Sequence, residues 1–186
     1  YGGALRAARS MIWLTDCQFE NNFAYHSGGH TYFNSFTNVT ITRTTFKHGF
    51  ARSQAAAMYA SQVNLDVQDS YFENHTVYYQ GGALLLTSSS RLDIKRSTIT
   101  GSNCTGMGTR DWVRGGALAI FSGTIVDAYD VTFSNNTAAI ERCYNYACSP
   151  NHAWAGGQGG AIYSEGTSMK FVKTRFVGNQ ATGAGP

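Results

Sequence analysis

Six stretches of the chain alternate apolar and polar residues with period two: Ile12-Trp13-Leu14, Val39-Thr40-Ile41, Leu65-Asp66-Val67, Leu92-Asp93-Ile94, Val126-Asp127-Ala128 and Met169-Lys170-Phe171. Such alternation marks a strand with one buried face. Five residues beyond the second apolar position of each stretch stands a large apolar residue: Phe19, Phe46, Phe72, Ile99, Phe133 and Phe176. Upstream of each stretch is a Gly-Gly pair or its remnant, beginning at Gly2, Gly28, Ala55, Gly81, Gly115 and Gly159, and always 17 or 18 residues before the Phe column. Four residues into each unit Leu5, Thr31, Met58, Leu84, Leu118 and Ile162 are placed to point inward from another strand. The chain is therefore a six-unit repeat, each unit with at least two short strands and no helical periodicity.

Units run 26, 27, 26, 34, 44 and 28 residues, and all the extra length falls between the Phe column and the next Gly-Gly. A fixed frame with one variable excursion is the behaviour of stacked coils whose insertions gather on one face. The pattern predicts an all-β fold, a parallel β-helix (solenoid) of about six coils over residues 1–186, with long excursions in coils four and five. Coils spaced about 4.8 Å apart would build a rod roughly 25–30 Å long. A leucine-rich repeat has a similar period but requires a Leu-x-x-Leu-x-Leu frame, which is missing.

One column is charged in every unit and alternates in sign: Asp16, Arg43, Asp69, Arg96, Asp130 and Lys173. In a parallel stack like positions lie above one another, so alternation turns repulsion into an ion-pair ladder and disfavours a one-unit slip. Each exposed pair contributes only about 0–1 kcal/mol; the ladder is read as structural.

Composition supports strands: 21 Gly, 11 Tyr and 11 Phe against 2 Pro, with 13% charged residues. A net charge of +3 without a Lys/Arg cluster gives no footing for nucleic acid, and no apolar run reaches the length of a membrane-spanning helix. The chain begins within a repeat motif and neither end carries a polar capping segment. It is expected to be a segment or protomer that stacks end to end with copies of itself or continues into adjacent β-helix coils, because an open coil presents unpaired N–H and C=O groups.

The strings "GGALRAARSMIWLTDCQFENN", "GGALAIFSGTIVDAYDVTFSNN" and "GGAIYSEGTSMKFVKTRFVGN" combine Gly-Gly-Ala-(Leu/Ile) with Phe-x-x-Asn. The pattern resembles the repeats of the chlamydial polymorphic outer membrane proteins, which also occur in surface proteins of other bacteria and of algae, and more broadly the pectin-lyase-like β-helices. The matching Asn positions are Asn22, Asn136 and Asn179; Gly49, His75 and Ser102 stand there in the other units. The resemblance implies a right-handed β-helix and an extracellular or cell-surface adhesin or scaffold, without fixing a ligand.

Enzymatic residues are sparse. A glycosidase needs two carboxyl groups about 5–10 Å apart, one tuned as an acid. Asp66, Asp93 and Asp127 share an outward column and form the best candidate for that chemistry or for Ca²⁺, but a solvated acidic strip relieved by Arg91 and Lys95 is preferred. The polygalacturonase strings Asn-Thr-Asp, Asp-Asp and Gly-His-Gly are absent. The reading is a non-enzyme without metal or cofactor; the alternative is a carbohydrate-binding or polysaccharide-cleaving β-helix. Tyr32, Tyr59 and Tyr163 offer an outward aromatic strip for a glycan or protein partner, or merely shield the sheet. The five histidines, at 26, 30, 48, 75 and 152, lack zinc spacing and read as surface residues.

Cys17 stands in a column of small residues and reads as a buried thiol. Cys104, Cys143 and Cys148 lie in the excursions; Cys143–Cys148 is the favoured disulfide because a long loop needs stapling, with Cys104 tying the two excursions as the other pairing. Four sequons, at Asn38, Asn74, Asn103 and Asn135, point to N-glycosylation of a secreted eukaryotic protein.

Overall fold

The computed structural model describes residues 1–106, 113–140 and 156–182. These residues contain no helix, and every ladder between their strands is parallel. Each coil has four legs. In coil one they are Leu5–Ala8, Met11–Thr15, Gln18–Glu20 and Phe23–Ala24. In coils two and three the first two legs fuse into the single strands Thr31–Thr42 and Met58–Gln68. The first and second legs build a ten-stranded sheet; the third and fourth legs each build a six-stranded sheet.

The register matches the repeat residue for residue. Leu5, Thr31, Met58, Leu84, Leu118 and Ile162 are successive partners, as are Ile12, Val39, Leu65, Leu92, Val126 and Met169. The Phe column runs up the centre, with Phe19, Phe46 and Phe72 stacked at 4.8 Å between ring centres and Phe133 on Phe176 at 5.2 Å. That spacing is the strand repeat itself, so the sheet dictates the ring geometry. The excursions of coils four and five return side by side, Val113–Arg114 pairing with Gly157–Gln158.

Corners are turned by residues in the left-handed region, four to a typical coil. One such corner is the charged column itself, from Asp16 (φ 53°) through Arg43, Asp69, Arg96 and Asp130 to Lys173 (φ 53°). The first three of these corners are braced from the next coil: backbone N–H groups of Cys17, Thr44 and Ser70 donate to the hydroxyls of Thr44, Ser70 and Ser97 one coil on. This ladder offsets the roughly 1–2 kcal/mol that an L-residue costs in the left-handed region.

The Gly-Gly corner has two separate demands. The first glycine has positive φ, 66° at Gly81 and 69° at Gly115, and a Cβ there would fall 2.2–2.3 Å from the carbonyl oxygen three residues on. The second glycine lets coils approach: a Cβ on Gly82 would lie 1.7 Å from the Gly116 carbonyl oxygen. Coil three turns the same corner with Ala55 at φ 53°. Its second alanine, Ala56, sends its N–H to the Gly82 carbonyl, whereas Gly82 and Gly116 send theirs to the first glycine of the next coil. The peptide has been re-aimed to admit the methyl groups. Gly82→Ala is accordingly expected to destabilise the protein by several kcal/mol, on the scale of an overpacked core, while Ala55→Gly stays within about 1 kcal/mol because relief of φ and loss of a buried methyl oppose each other. Thermal unfolding of the two variants tests this; equal effects would mean that close approach does not govern the corner.

Candidate functional site

The interior holds the first unexpected chemistry. The Asn positions of the Phe-x-x-Asn pattern point inward and form a ladder that binds coils together. Asn136 Oδ1 accepts from the Ser102 N–H at 3.0 Å, its Nδ2 donates to the Ile99 carbonyl at 3.0 Å, and the Asn136 N–H donates to Asn179 Oδ1 at 3.1 Å. Asn179 repeats the pattern by donating to the Phe133 carbonyl at 2.9 Å. One amide side chain thus accepts an N–H and donates to a carbonyl of the coil before it, which requires a side chain that is both acceptor and donor, as Asn is.

In the middle coils one rung survives by substitution, while the Ser102 hydroxyl in the same column makes no hydrogen bond. His75 stands in the Asn column and accepts the Gly49 N–H at Nδ1, 3.1 Å away, as Asn136 accepts Ser102. The donor fixes the tautomer: neutral His75 carries its proton on Nε2. At Gly49 the Asn is missing altogether, and the space is filled from another column. His30, where the other units have Ala4, Ala57, Ala83, Ala117 and Ala161, reaches across with its Nε2 only 2.7 Å from where a Gly49 Cβ would be. Its Nδ1 shares a 2.9 Å hydrogen bond with Asn22 Nδ2. The two imidazoles meet edge to face at 5.3 Å, against Phe46 and Phe72.

His30 and His75 are both fully buried, so the expectation of surface histidines fails for these two. Sequence reading treated each departure from the motif singly; the exchange of Asn for Gly in one column and Ala for His in another was the available signal. Burial pushes the His30 pKa down to about 4, with His48 adding to the shift and the Lys47 backbone opposing it. Burial likewise holds His75 well below the ordinary value, and neighbouring His30 deepens the effect.

Outside, the charged column resolves into pairs. Arg43 grips Asp16 through two contacts of 2.7 and 2.8 Å, and Arg96 grips Asp69 at 2.6 and 2.8 Å. The guanidinium in each case holds the carboxyl below its usual range. Arg43 and Asp69 interact only at longer range. Lys173 lies 5.5 Å from the Tyr129 ring centre, and its pKa is raised first by Tyr129 and further by Asp130.

Asp66, Asp93 and Asp127 are partners in adjacent strands. Arg91 donates to Asp93 at 2.8 Å and to Asp127 at 2.6 Å, while Gln68 donates to Asp66. Among the described residues no cluster of His, Cys, Asp and Glu is arranged to hold a metal ion. Tyr32 and Tyr59 stack at 4.7 Å, but Leu85 and Ala119 separate them from Tyr163 in the same column and are themselves buried. Tyr163 instead packs beneath Arg114, 4.7 Å from its ring centre. The three tyrosines therefore do not form one strip.

Cys104 is a free, fully buried thiol, its pKa pushed up to about 12 by burial, and does not tie the excursions together. Cys17 is free but only half-buried, since its coil is covered on one side. Cys143 and Cys148 lie outside the described residues. Asn38, Asn74 and Asn135 are exposed, and Asn103 is half-buried.

With the coil geometry established, comparison with known families is direct: the family model described as a right-handed β-helix region matches residues 3–185. The chain belongs to the right-handed β-helix family. A search of curated proteins and a search of solved structures each returned no match. The β-helix thus has its handedness and its all-β parallel architecture from the family, and its ladder chemistry from its own side chains.

The buried histidines give the β-helix an acid-sensitive centre. Both pKa values are depressed, so the unfolded chain takes up protons near pH 6.5 while the folded chain resists until about pH 4 at His30. Stability is then complete above about pH 6.5 and lost as pH falls toward 4, by roughly 3 kcal/mol for His30 alone. His75→Asn, which restores the motif residue, is expected to flatten this dependence at a cost of about 1–2 kcal/mol at neutral pH. Thermal melts of both proteins between pH 7.5 and 4.5 provide the check; parallel curves would exclude His75 as a proton-linked group.

Proposed function

We propose that this β-helix is a non-enzymatic structural or adhesive module, secreted or displayed at a cell surface, whose end coils stack against further β-helix coils, its own or those of another copy. The observation that carries this reading is the state of the core columns at the two ends. Phe46, Phe72 and Phe133 are buried, whereas Phe176 of the same column is 50% exposed and Met169 39%. At the other end Leu5, Ile12, Leu14 and Phe19 are only half-buried. Columns that are saturated inside and open at both faces suit a neighbour that continues them. The charges suit it too: Lys173 at one end is complementary to Asp16 at the other, so head-to-tail stacking would prolong the alternation. Such a heterologous contact repeats without closing and yields a filament.

Surface display is supported by the likeness of the Gly-Gly-Ala…Phe-x-x-Asn pattern to chlamydial polymorphic outer membrane repeats and their algal counterparts. A secretory route accords with the four sequons at Asn38, Asn74, Asn103 and Asn135 and with a Cys143–Cys148 disulfide. The absence of hydrolytic chemistry is supported by the acidic column. Its carboxylates are spent on Arg91 and Gln68, and Asp93 and Asp127 keep 31% and 38% of their side-chain surface in solvent, unlike the apolar pocket that tunes a glycosidase acid.

Sedimentation velocity and negative-stain imaging over a range of concentrations test the stacking. Linear, concentration-dependent oligomers are expected, and Lys173→Glu, which would face Asp16 of the next copy, should shift them toward monomer. A monomer at every concentration for both proteins would remove self-stacking.

A further inference from the structure

The corner between the first and second legs carries one aromatic residue, Phe36, and it is the most exposed large hydrophobic among the described residues, at 77%. Its backbone is strained: Ser35 and Phe36 both have positive φ, 55° and 62°, and together they oppose the single residue Gln62 in a bulge. The other coils turn this corner with Arg9, Gln62, Ser88-Ser89, Ser122-Gly123 and Gly166. The left-handed conformation belongs to the corner in every coil, but a bulky aromatic in it is an outlier that the fold does not require, and such outliers gather at binding sites.

Phe36 borders a surface depression of about 310 Å³ together with Asn38, Gln62, Asn64, Ser88 and Ser89. A second depression of about 150 Å³ shares Asn38 and Asn64 and continues to Asp66, Arg91 and Asp93. The Asn64 amide donates to Asn38 Oδ1 at 3.0 Å on their common floor. The two form one open groove with an aromatic ring at one end, amides and hydroxyls along it, and a carboxylate–guanidinium group at the other.

We propose that this groove binds a neutral oligosaccharide, laid across the coils with a C–H face of one ring on Phe36 and its hydroxyls on Asn38, Asn64, Asp66 and Arg91. Sugars combine an apolar face with a rim of paired donors and acceptors, which is what the ring and the planar polar side chains match. Competing ligands fit less well. Asp66 and Asp93 line the groove against the single cation Arg91, which is already bound to Asp93 and to Asp127 beside it, so a uronate chain or a nucleic acid would be repelled. The groove runs over sheet interior and not along an edge, so a peptide could not add a strand. The proposal rests on the non-enzymatic surface-module reading and names the partner of that module.

The test uses the full chain made in a host without N-glycosylation, labelled with ¹⁵N and titrated with cello-, xylo- and manno-oligosaccharides and, separately, with an oligogalacturonate. Amide shifts confined to the neighbourhood of Phe36, Asn64 and Arg91 are expected with at least one neutral series, with affinity lowered roughly tenfold or more in Phe36→Ala and in Asn64→Ala. Phe36→Ala leaves the core untouched and should keep the melting temperature. No response to any neutral series, a response undiminished by Phe36→Ala, or preference for the oligogalacturonate overturns the proposal. Shortened sugars in the mixture would support the groove while overturning the non-enzymatic reading; binding by a protein that never stacks would support the groove and remove only the scaffold role. Because Asn38 is itself a sequon, the attached glycan is a second source of the same chemistry. Protein secreted with Asn38 occupied separates the two: loss of the titration assigns the groove to the attached glycan, and its retention assigns it to an external chain.

Discussion

Parallel stacking at one strand spacing is the constraint from which the rest of this molecule follows. Every position lies directly over its counterpart in the next coil, so each column must be compatible with itself at about 4.8 Å. Flat rings meet the condition by stacking, amides by donating one way and accepting the other, and hydroxyls by relaying between backbone groups. Charges cannot meet it as identical residues, and the column at Asp16, Arg43, Asp69, Arg96, Asp130 and Lys173 solves the problem by alternating. Glycine appears where even a methyl group would break the spacing, as at Gly82. Residue choice is thus dictated by vertical neighbours more than by neighbours along the chain.

The same constraint explains how the interior tolerates departures. Removing Asn from one coil leaves a donor of the adjacent coil without its partner, which costs about 1–3 kcal/mol when buried. Coils two and three meet part of that cost through three linked changes: Gly49 empties the Asn position, His30 enters from the alanine column to fill it, and His75 takes the Gly49 N–H, while the Nε2 atoms of both imidazoles stay buried without a partner. No one of the three is sensible alone. An Asn at 49 would strike His30, and an Ala at 30 would leave Gly49 beside a void. The exchange keeps the Gly49–His75 rung at neutral pH but replaces amides, which do not titrate, with bases that do, and so makes the core of these coils acid-sensitive.

The coil architecture was legible because a column is a statement about sequence spacing. Offsets of 17 or 18 from Gly-Gly to Phe located the strands, the register and the core columns that the structure contains. What lay across the coil was not legible. The left-handed corners at Asp16, Arg43 and their equivalents alternate Asp, which visits that conformation readily, with Arg and Lys, which do not, and the first three are braced by hydroxyls one coil away. His30 and His75 looked like surface residues because each meets Gly49 of coil two from a distance in sequence, His30 from another column 19 positions away and His75 from the same column one coil on. The tyrosine strip was inferred from three matching positions, but a surface strip also depends on the residues between them, and Leu85 and Ala119 interrupt it. Phe36 was missed because a bulge shifts it out of the repeat frame.

A lattice of this kind also limits where chemistry can arise. Like positions superpose, so an outward column tends toward strips of one residue type, and a catalytic pair needs unlike environments for two carboxyl groups. The column at Asp66, Asp93 and Asp127 shows the tendency: three carboxylates stand in one row, and Arg91 is inserted between strands to relieve two of them. The interior is little freer, since Asn136, Asn179 and His75 already serve neighbouring coils and the remaining columns are filled by packed apolar side chains. Distinctive function must then come from places where the repeat is broken on the outside. In the described residues the bulge at Ser35-Phe36 is such a break, keeping an aromatic ring in water above a row of amides at a conformational cost of about 1–3 kcal/mol. The left-handed corner recurs in every coil, but a Phe at it is particular to coil two, and the proposed sugar site supplies a physical reason for that placement.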